Sequence, residues 1–214
     1  MTRARAGDGD TAGNVATAGR GAAERIAALR RDLSFDDELL GYRLRFRTTW
    51  GLFSPRQIDA GSRLLLDHLT VASDDVALDL GCGYGPLGLA VAKSAPLGSC
   101  LMVDKDFVAV EYARRNAELN GVGNAPVLLS NGFDQVDGRD FSLIVSNLPA
   151  KSSNEQYLLF FHDAWQRLRP GGRVVVVSIS GIREFIARNL RDVFGNYDKL
   201  KQGSAYTVAS SVKT

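Results

Sequence analysis

Val76-Ala77-Leu78-Asp79-Leu80-Gly81-Cys82-Gly83-Tyr84-Gly85-Pro86-Leu87-Gly88 is the stretch on which the fold of this chain turns. An apolar run carries one acid, Asp79, and gives way to alternating glycines. A helix-like pattern, Leu87-Gly88-Leu89-Ala90-Val91-Ala92, follows. This predicts a buried parallel strand, a tight turn and a helix start. Glycines carry no Cβ, so the backbone curls tightly and a ligand comes close. Pro86 suits the first helical turn, where its missing N–H costs nothing. The helix N-terminus adds oriented amides and the positive end of a dipole.

Two ligand readings compete for this turn. Gly83 to Gly88 matches G-x-G-x-x-G, a dinucleotide pattern that is weak by itself. Asp79 to Gly85 matches Asp-x-Gly-x-Gly-x-Gly, with an acid ahead of the turn. A carboxylate facing the ligand suits the ammonium and sulfonium of S-adenosylmethionine and repels a pyrophosphate. The methyl donor is therefore favoured; a strand–turn–helix without a ligand is the bland alternative.

The 214 residues suggest one domain with appendages. An apolar share of 45% is ordinary for a globular protein. A formal charge of +2 permits a nucleic-acid partner without demanding one. Cys82 and Cys100 make no disulfide framework and read as small buried side chains in a reducing cytoplasm. No run approaches the roughly 18 apolar residues of a membrane span, and the N-terminus shows no apolar signal region. No metal is expected.

Outward from the central stretch, Met1 to about Ala23 is poor in large apolar residues and reads as a disordered tail. Glu24 to Leu33 reads as a short helix. Arg43, Arg45 and Arg47 alternate with Leu44 and Phe46, the period of a half-buried strand. Its arginine face is either a ladder for phosphates or a charged edge that resists aggregation. Gly51 would turn this strand towards Leu52 and Phe53, and Gln57 to Leu69 reads as a helix. Downstream, strands are expected at Cys100–Val103, Pro126–Leu129, Phe141–Ser146 and Arg173–Val177. Helices are expected at Phe107–Asn120, Glu155–Leu168 and Ile182–Phe194, with a closing strand pair at Tyr197–Leu200 and Ala205–Ala209. Pro170-Gly171-Gly172 reads as a turn.

Strands that alternate with helices imply a mostly parallel sheet covered on both faces. Ligands bind such sheets at the carboxyl ends of the strands. Asp79, Asp104, Asn131 and Asn147 all fall at expected strand ends and point to one crevice. Asp104 can accept from two ribose hydroxyls, and Asn131 can meet an adenine amino group. In Asn147-Leu148-Pro149-Ala150, an amide oxygen and backbone carbonyls can hold a planar amine towards a methyl carbon. Pro149 keeps Leu148 extended, which fixes the direction of its carbonyl.

Asp79 to Gly85 together with Ser146-Asn147-Leu148-Pro149 resembles the class I S-adenosylmethionine-dependent methyltransferases. More narrowly, the chain resembles the methyltransferase small-domain family, which includes bacterial small-subunit rRNA guanine-N2 methyltransferases. Gly51-Leu52-Phe53-Ser54, Gln57-Ile58-Asp59-Ala60-Gly61-Ser62 and Ala113-Arg114-Arg115-Asn116 support it. Val193-Phe194-Gly195-Asn196 and Tyr206 also look like its small archaeal members. The resemblance implies a Rossmann-like α/β sheet of seven strands, the last antiparallel, with helices on both faces. It implies donor contacts at Asp79, Gly81, Cys82, Gly83 and Gly85, ribose contacts at Asp104 beside Lys105, and adenine contacts near Asn131 and Gly132. Asn147, Leu148 and Pro149 would orient the acceptor amine, Asn147 also facing the donor. The family usually reads Asn-Pro-Pro-aromatic, its aromatic stacking on the substrate; here Leu148 and Ala150 replace the first proline and the aromatic.

The domain expectation is a tail and short helix over 1–33, a strand pair and helix over 34–69, and a methyltransferase domain over 70–214. The functional expectation is an N-methyltransferase for RNA, on an rRNA guanine amine, in the cytoplasm. Alternatives are a small-molecule or protein-amide methyltransferase, a non-catalytic RNA-binding module and, last, an NAD-dependent oxidoreductase.

Overall fold

The computed structural model describes residues 21–138 and 140–214. The expected tail therefore lies outside the described residues, except that 21–23 already belong to a helix, α1, over 21–29. The helix expected to run to Leu33 stops earlier because Leu33 opens a strand. A hairpin pairs β1 (Leu33–Leu39) with β2 (Tyr42–Thr48), Leu39 opposite Tyr42. Its two-residue turn puts Leu40 at φ 51 and Gly41 at φ 80, the double left-handed geometry that matches strand twist. The arginine strand thus finds its partner upstream, in β1.

β2 is not an open edge either. Asn116 and Asn120 lie one turn apart on α4 (Phe107–Leu119) and its C-cap, hence on one face. Asn120 accepts from the Arg45 N–H at 2.8 Å and donates to the Arg45 carbonyl at 2.7 Å. Asn116 does the same for Arg47, at 2.7 and 2.9 Å. Two side-chain amides thereby imitate a neighbouring strand. The helix ends in a paired-bond cap, with the Gly121 N–H on Glu118 and the Val122 N–H on Ala117, Gly121 being left-handed at φ 61.

A mixed sheet of seven strands forms the body, in the order β5-β4-β3-β6-β7-β9-β8. The parallel strands are β3 (Val76–Leu80), β4 (Ser99–Asp104), β5 (Val127–Leu129), β6 (Phe141–Asn147) and β7 (Leu168–Ile179). β9 (Tyr206–Val212) runs antiparallel between β7 and β8 (Asp198–Gln202). β7 starts five residues before expected. Pro170-Gly171-Gly172 does not turn the chain but bulges it, with the Gly171 N–H on the Lys213 carbonyl.

Side chains alternate across the strands and divide the core in two. Ala77, Leu143, Val145 and Val175 meet α2 (Ala60–Asp67), α3 (Pro86–Ser94), α4 and the hairpin residues Leu44 and Phe46. Leu78, Ile144, Val174 and Val176 meet α5 (Asn154–Arg167) and α6 (Arg183–Phe194). Strand order reverses between β3 and β6, which opens a crevice above their carboxyl ends.

Candidate active site

A cleft of ≈ 680 Å³ occupies that crevice. Its first wall is the glycine turn between β3 and α3. Gly81 and Gly83 are left-handed, at φ 76 and 57, and a Cβ built on either meets nothing within 4 Å. Both line the cleft, so the bare backbone borders open space that a ligand can fill. The N–H groups of Gly81 and Cys82 donate to the Val103 carbonyl, that of Gly83 to Asp104 Oδ2 at 2.8 Å, and that of Gly85 to the Cys82 carbonyl. Four amides of the turn are thus committed within the protein, which leaves fewer for a pyrophosphate.

Behind the turn lies Asp79, with no exposed surface. Its Oδ2 accepts the Gly88 N–H at 2.8 Å inside α3, while Oδ1 has no partner among the described residues. Gly88 is a glycine by necessity, since a Cβ there would overlap Met102 at 2.4 Å. Burial pushes the Asp79 carboxyl up to about 7, against the pull of the Gly88 N–H and with the Asp104 charge adding to it. A cation in the cleft would lower it again. Asp104 accepts the Gly83 and Asp106 N–H groups, one on each oxygen, and each oxygen keeps a further lone pair for a hydroxyl. Burial, together with the Asp79 and Asp104 charges, raises the Cys82 thiol, so it stays protonated. Asp104 fits a ligand that carries ribose hydroxyls, and the carboxyl groups of Asp59 and Asp104 on the wall, with Asp79 behind it, favour a cation over a pyrophosphate.

The opposite wall is the end of β6. Asn147 follows Leu143 and Val145 in alternation and so shares a sheet face with Asp79, which pairs with Val145. Its Nδ2 donates to Asp59 Oδ2 and to Ser62 Oγ, both at 2.9 Å. Asp59 caps α2, accepting the Gly61 and Ser62 N–H groups, and also accepts the Tyr206 hydroxyl at 3.3 Å. Both amide hydrogens of Asn147 therefore point into the protein, and Oδ1 is its remaining polar atom. Leu148 buries its side chain among the α5–α6 core, and its N–H donates to the Val177 carbonyl at 2.9 Å. A proline at that position lacks this bond. The Pro149 carbonyl accepts the Tyr157 hydroxyl.

Gly81, Cys82, Gly83, Asp104, Lys105, Gly132, Asn147, Leu148 and Pro149 all border the cleft. Asp79, Gly85 and Asn131 do not. Asp79 and Gly85 are sealed behind the turn, on the α3 side. Asn131 is exposed and donates to Asp134 at 3.2 Å, leaving Ser130 and Gly132 on the wall. Sequence reasoning assigned no role to Asp59, Ser62 or Tyr206. The helix-capping pattern around Asp59 was the available signal.

The sheet order and the cleft at its switch point define a Rossmann-like methyltransferase fold. The chain belongs to the methyltransferase small-domain family, whose model matches residues 43–210. The uncharacterised YbxB of Bacillus subtilis is 30% identical, over 78% of this chain and 85% of its own. Ribosomal RNA small subunit methyltransferase C of Citrobacter koseri is 33% identical, over 80% of this chain and 50% of its own. Among solved structures, the 16S rRNA N2 guanine methyltransferase RsmC of T. thermophilus, in complex with AdoMet and guanosine, is 27% identical. It superposes with a TM-score of 0.75, over 86% of this chain and 51% of that one. This chain spans about half the length of the rRNA methyltransferases it matches.

Proposed function

We propose that this chain transfers a methyl group from S-adenosylmethionine to an exocyclic amine of RNA, the N2 amine of an rRNA guanine. The observation that carries this reading is the locked amide of Asn147, whose two hydrogens are committed to Asp59 and Ser62. Only an acceptor, Oδ1, then remains for the substrate, and an amine N–H is what an acceptor binds. The donor, when bound, supplies a methyl carbon open to in-line displacement. Gly81, Gly83 and Asp104 would hold it on one wall. Asn147 Oδ1 and the Leu148 carbonyl would hold the amine on the other, so that its lone pair faces the methyl. Positioning of this kind needs no strong base beside the amine. Asp59 accepts four hydrogen bonds and acts as a positioning group for Asn147.

The names of the relatives support the RNA substrate. A guanine inside folded rRNA must be splayed out to reach the cleft, and an rRNA substrate would be met in the cytoplasm. No described helix is long and apolar enough to cross a membrane. A small-molecule acceptor is the second reading, favoured by Ala150, which leaves that stretch of wall without an aromatic.

Labelled methyl donor offered to rRNA and to a metabolite extract separates the two readings. Label recovered as N2-methylguanosine, lost in Asn147→Ala while calorimetry still shows donor binding, is the expected result. Label confined to metabolites rejects the RNA reading.

A further inference from the structure

We infer that Phe53, on the loop between β2 and α2, stacks on the acceptor base in place of the aromatic absent at Ala150. The inference rests on the RNA reading above. Phe53 borders the cleft, yet it is 70% exposed. Its neighbours on the loop behave differently: Leu52 and Ile58 are buried at 7% and 4%. They anchor the loop in the core and leave Phe53 exposed at the cleft.

The loop is braced rather than slack. The Tyr84 hydroxyl, from the glycine turn, donates to the Ser54 and Gln57 carbonyls at 3.2 and 3.1 Å. Ser54 Oγ donates to the Gln57 carbonyl at 2.8 Å, and Thr48 Oγ1 donates to the Pro55 carbonyl. Ser54 itself is left-handed at φ 47, a conformation disfavoured for serine. Bracing and local strain together present an aromatic ring to solvent at a fixed place. Beside it, the Arg56 guanidinium lies 4.6 Å from the Trp50 ring centroid, so a cation and a second aromatic share the loop.

Chemistry identifies the occupant. A purine held by Asn147 Oδ1 at its exocyclic amine exposes two broad faces, and a flipped base loses the stacking of its own helix. An aromatic side chain restores it. Ala150 has no ring to offer, whereas Phe53 borders the same cleft and does.

The test compares Phe53→Ala, Phe53→Leu and Phe53→Trp in rRNA methylation, with the donor Kd measured in parallel. Phe53→Ala is expected to lower kcat/KM for rRNA by about 5- to 150-fold, the range of one base–aromatic stack. Phe53→Trp keeps activity, Phe53→Leu resembles alanine, and the donor Kd stays put. Adding Ala150→Phe to Phe53→Ala recovers part of the loss. A 2-aminopurine riboside gives a second readout, its fluorescence quenched by the wild type and not by Phe53→Ala. If the wild type methylates rRNA and Phe53→Ala equals it, or leucine matches tryptophan, the stack is overturned while the RNA reading stands. A wild type that transfers no label to rRNA overturns both.

Discussion

Asn147 is defined by the hydrogens it has already given away. An amide can present either end to a substrate, and Asp59 with Ser62 chooses the oxygen. Asp59→Ala is expected to lower kcat by about 10²-fold through lost aim, with donor affinity unchanged by calorimetry. Lost capping of α2 should cost about 1 kcal/mol in denaturant unfolding. Tyr206→Phe removes one bond of 3.3 Å from Asp59, and its effect on kcat should stay below about tenfold. Asp79 makes a different prediction. Its carboxyl holds a proton up to about 7 in the folded protein, but only to near 4 when unfolded. The folded state thus binds the extra proton between these values, and the ligand-free protein loses stability as pH rises from about 4 to about 7. Asp79→Asn should flatten that slope, gaining melting temperature over the wild type at about pH 8 and much less at about pH 5. An equal gain at both would show that the Asp79 charge is not the cause.

At the scale of elements, legibility followed the strength of each pattern. β3, β4, β6 and β7 are apolar runs bounded by turn residues, and they were readable. β1 had no bounds of its own within the strand pair expected over 34–69, although its burial alternates along Leu33–Leu39. Asp36-Asp37-Glu38 interrupts the apolar period, and Leu40-Gly41 is not a turn pair that composition announces. The arginine strand was readable, but its surroundings were not: Arg43 and Arg45 both lean on Asp36, at 3.1 and 2.9 Å, across the hairpin. In the site, the residues on Gly81–Gly83, Asp104 and Asn147–Pro149 were legible because turns leave a composition signature. The depth of Asp79 was not, because periodicity gives a side of the sheet and not a distance from the cleft. Asp59 was missed because its partner, Asn147, lies 88 residues away. The α4 asparagines carry a prediction of their own. Asn116, fully buried, holds the Arg47 backbone and the Tyr84 carbonyl. Asn116→Ala should cost about 1–3 kcal/mol for each buried group it strands. Amide hydrogen exchange at Arg47 should then quicken; unchanged exchange would mean that β2 holds its edge without help.

For the whole molecule, the cleft draws on β2–α2, β3–α3, β4 and β6 at once, so a ligand there ties distant parts of the chain together. Binding to the folded state alone should raise unfolding free energy by about 2.7 kcal/mol at a donor concentration a hundredfold above Kd. Thermal melts with S-adenosylmethionine should climb with dose, and melts with NADH should not move. The Tyr84 hydroxyl adds a direction to this coupling. Burial, with the Asp59 and Asp37 charges nearby, raises its phenol, which therefore remains a donor throughout the physiological range. One proton, shared by two carbonyls, joins the glycine turn to the loop that carries Phe53. Reciprocity then follows: whatever tightening the donor lends to RNA, RNA must return to the donor in equal measure. Calorimetry of each ligand with and without the other reads that factor, and Tyr84→Phe should bring it to one.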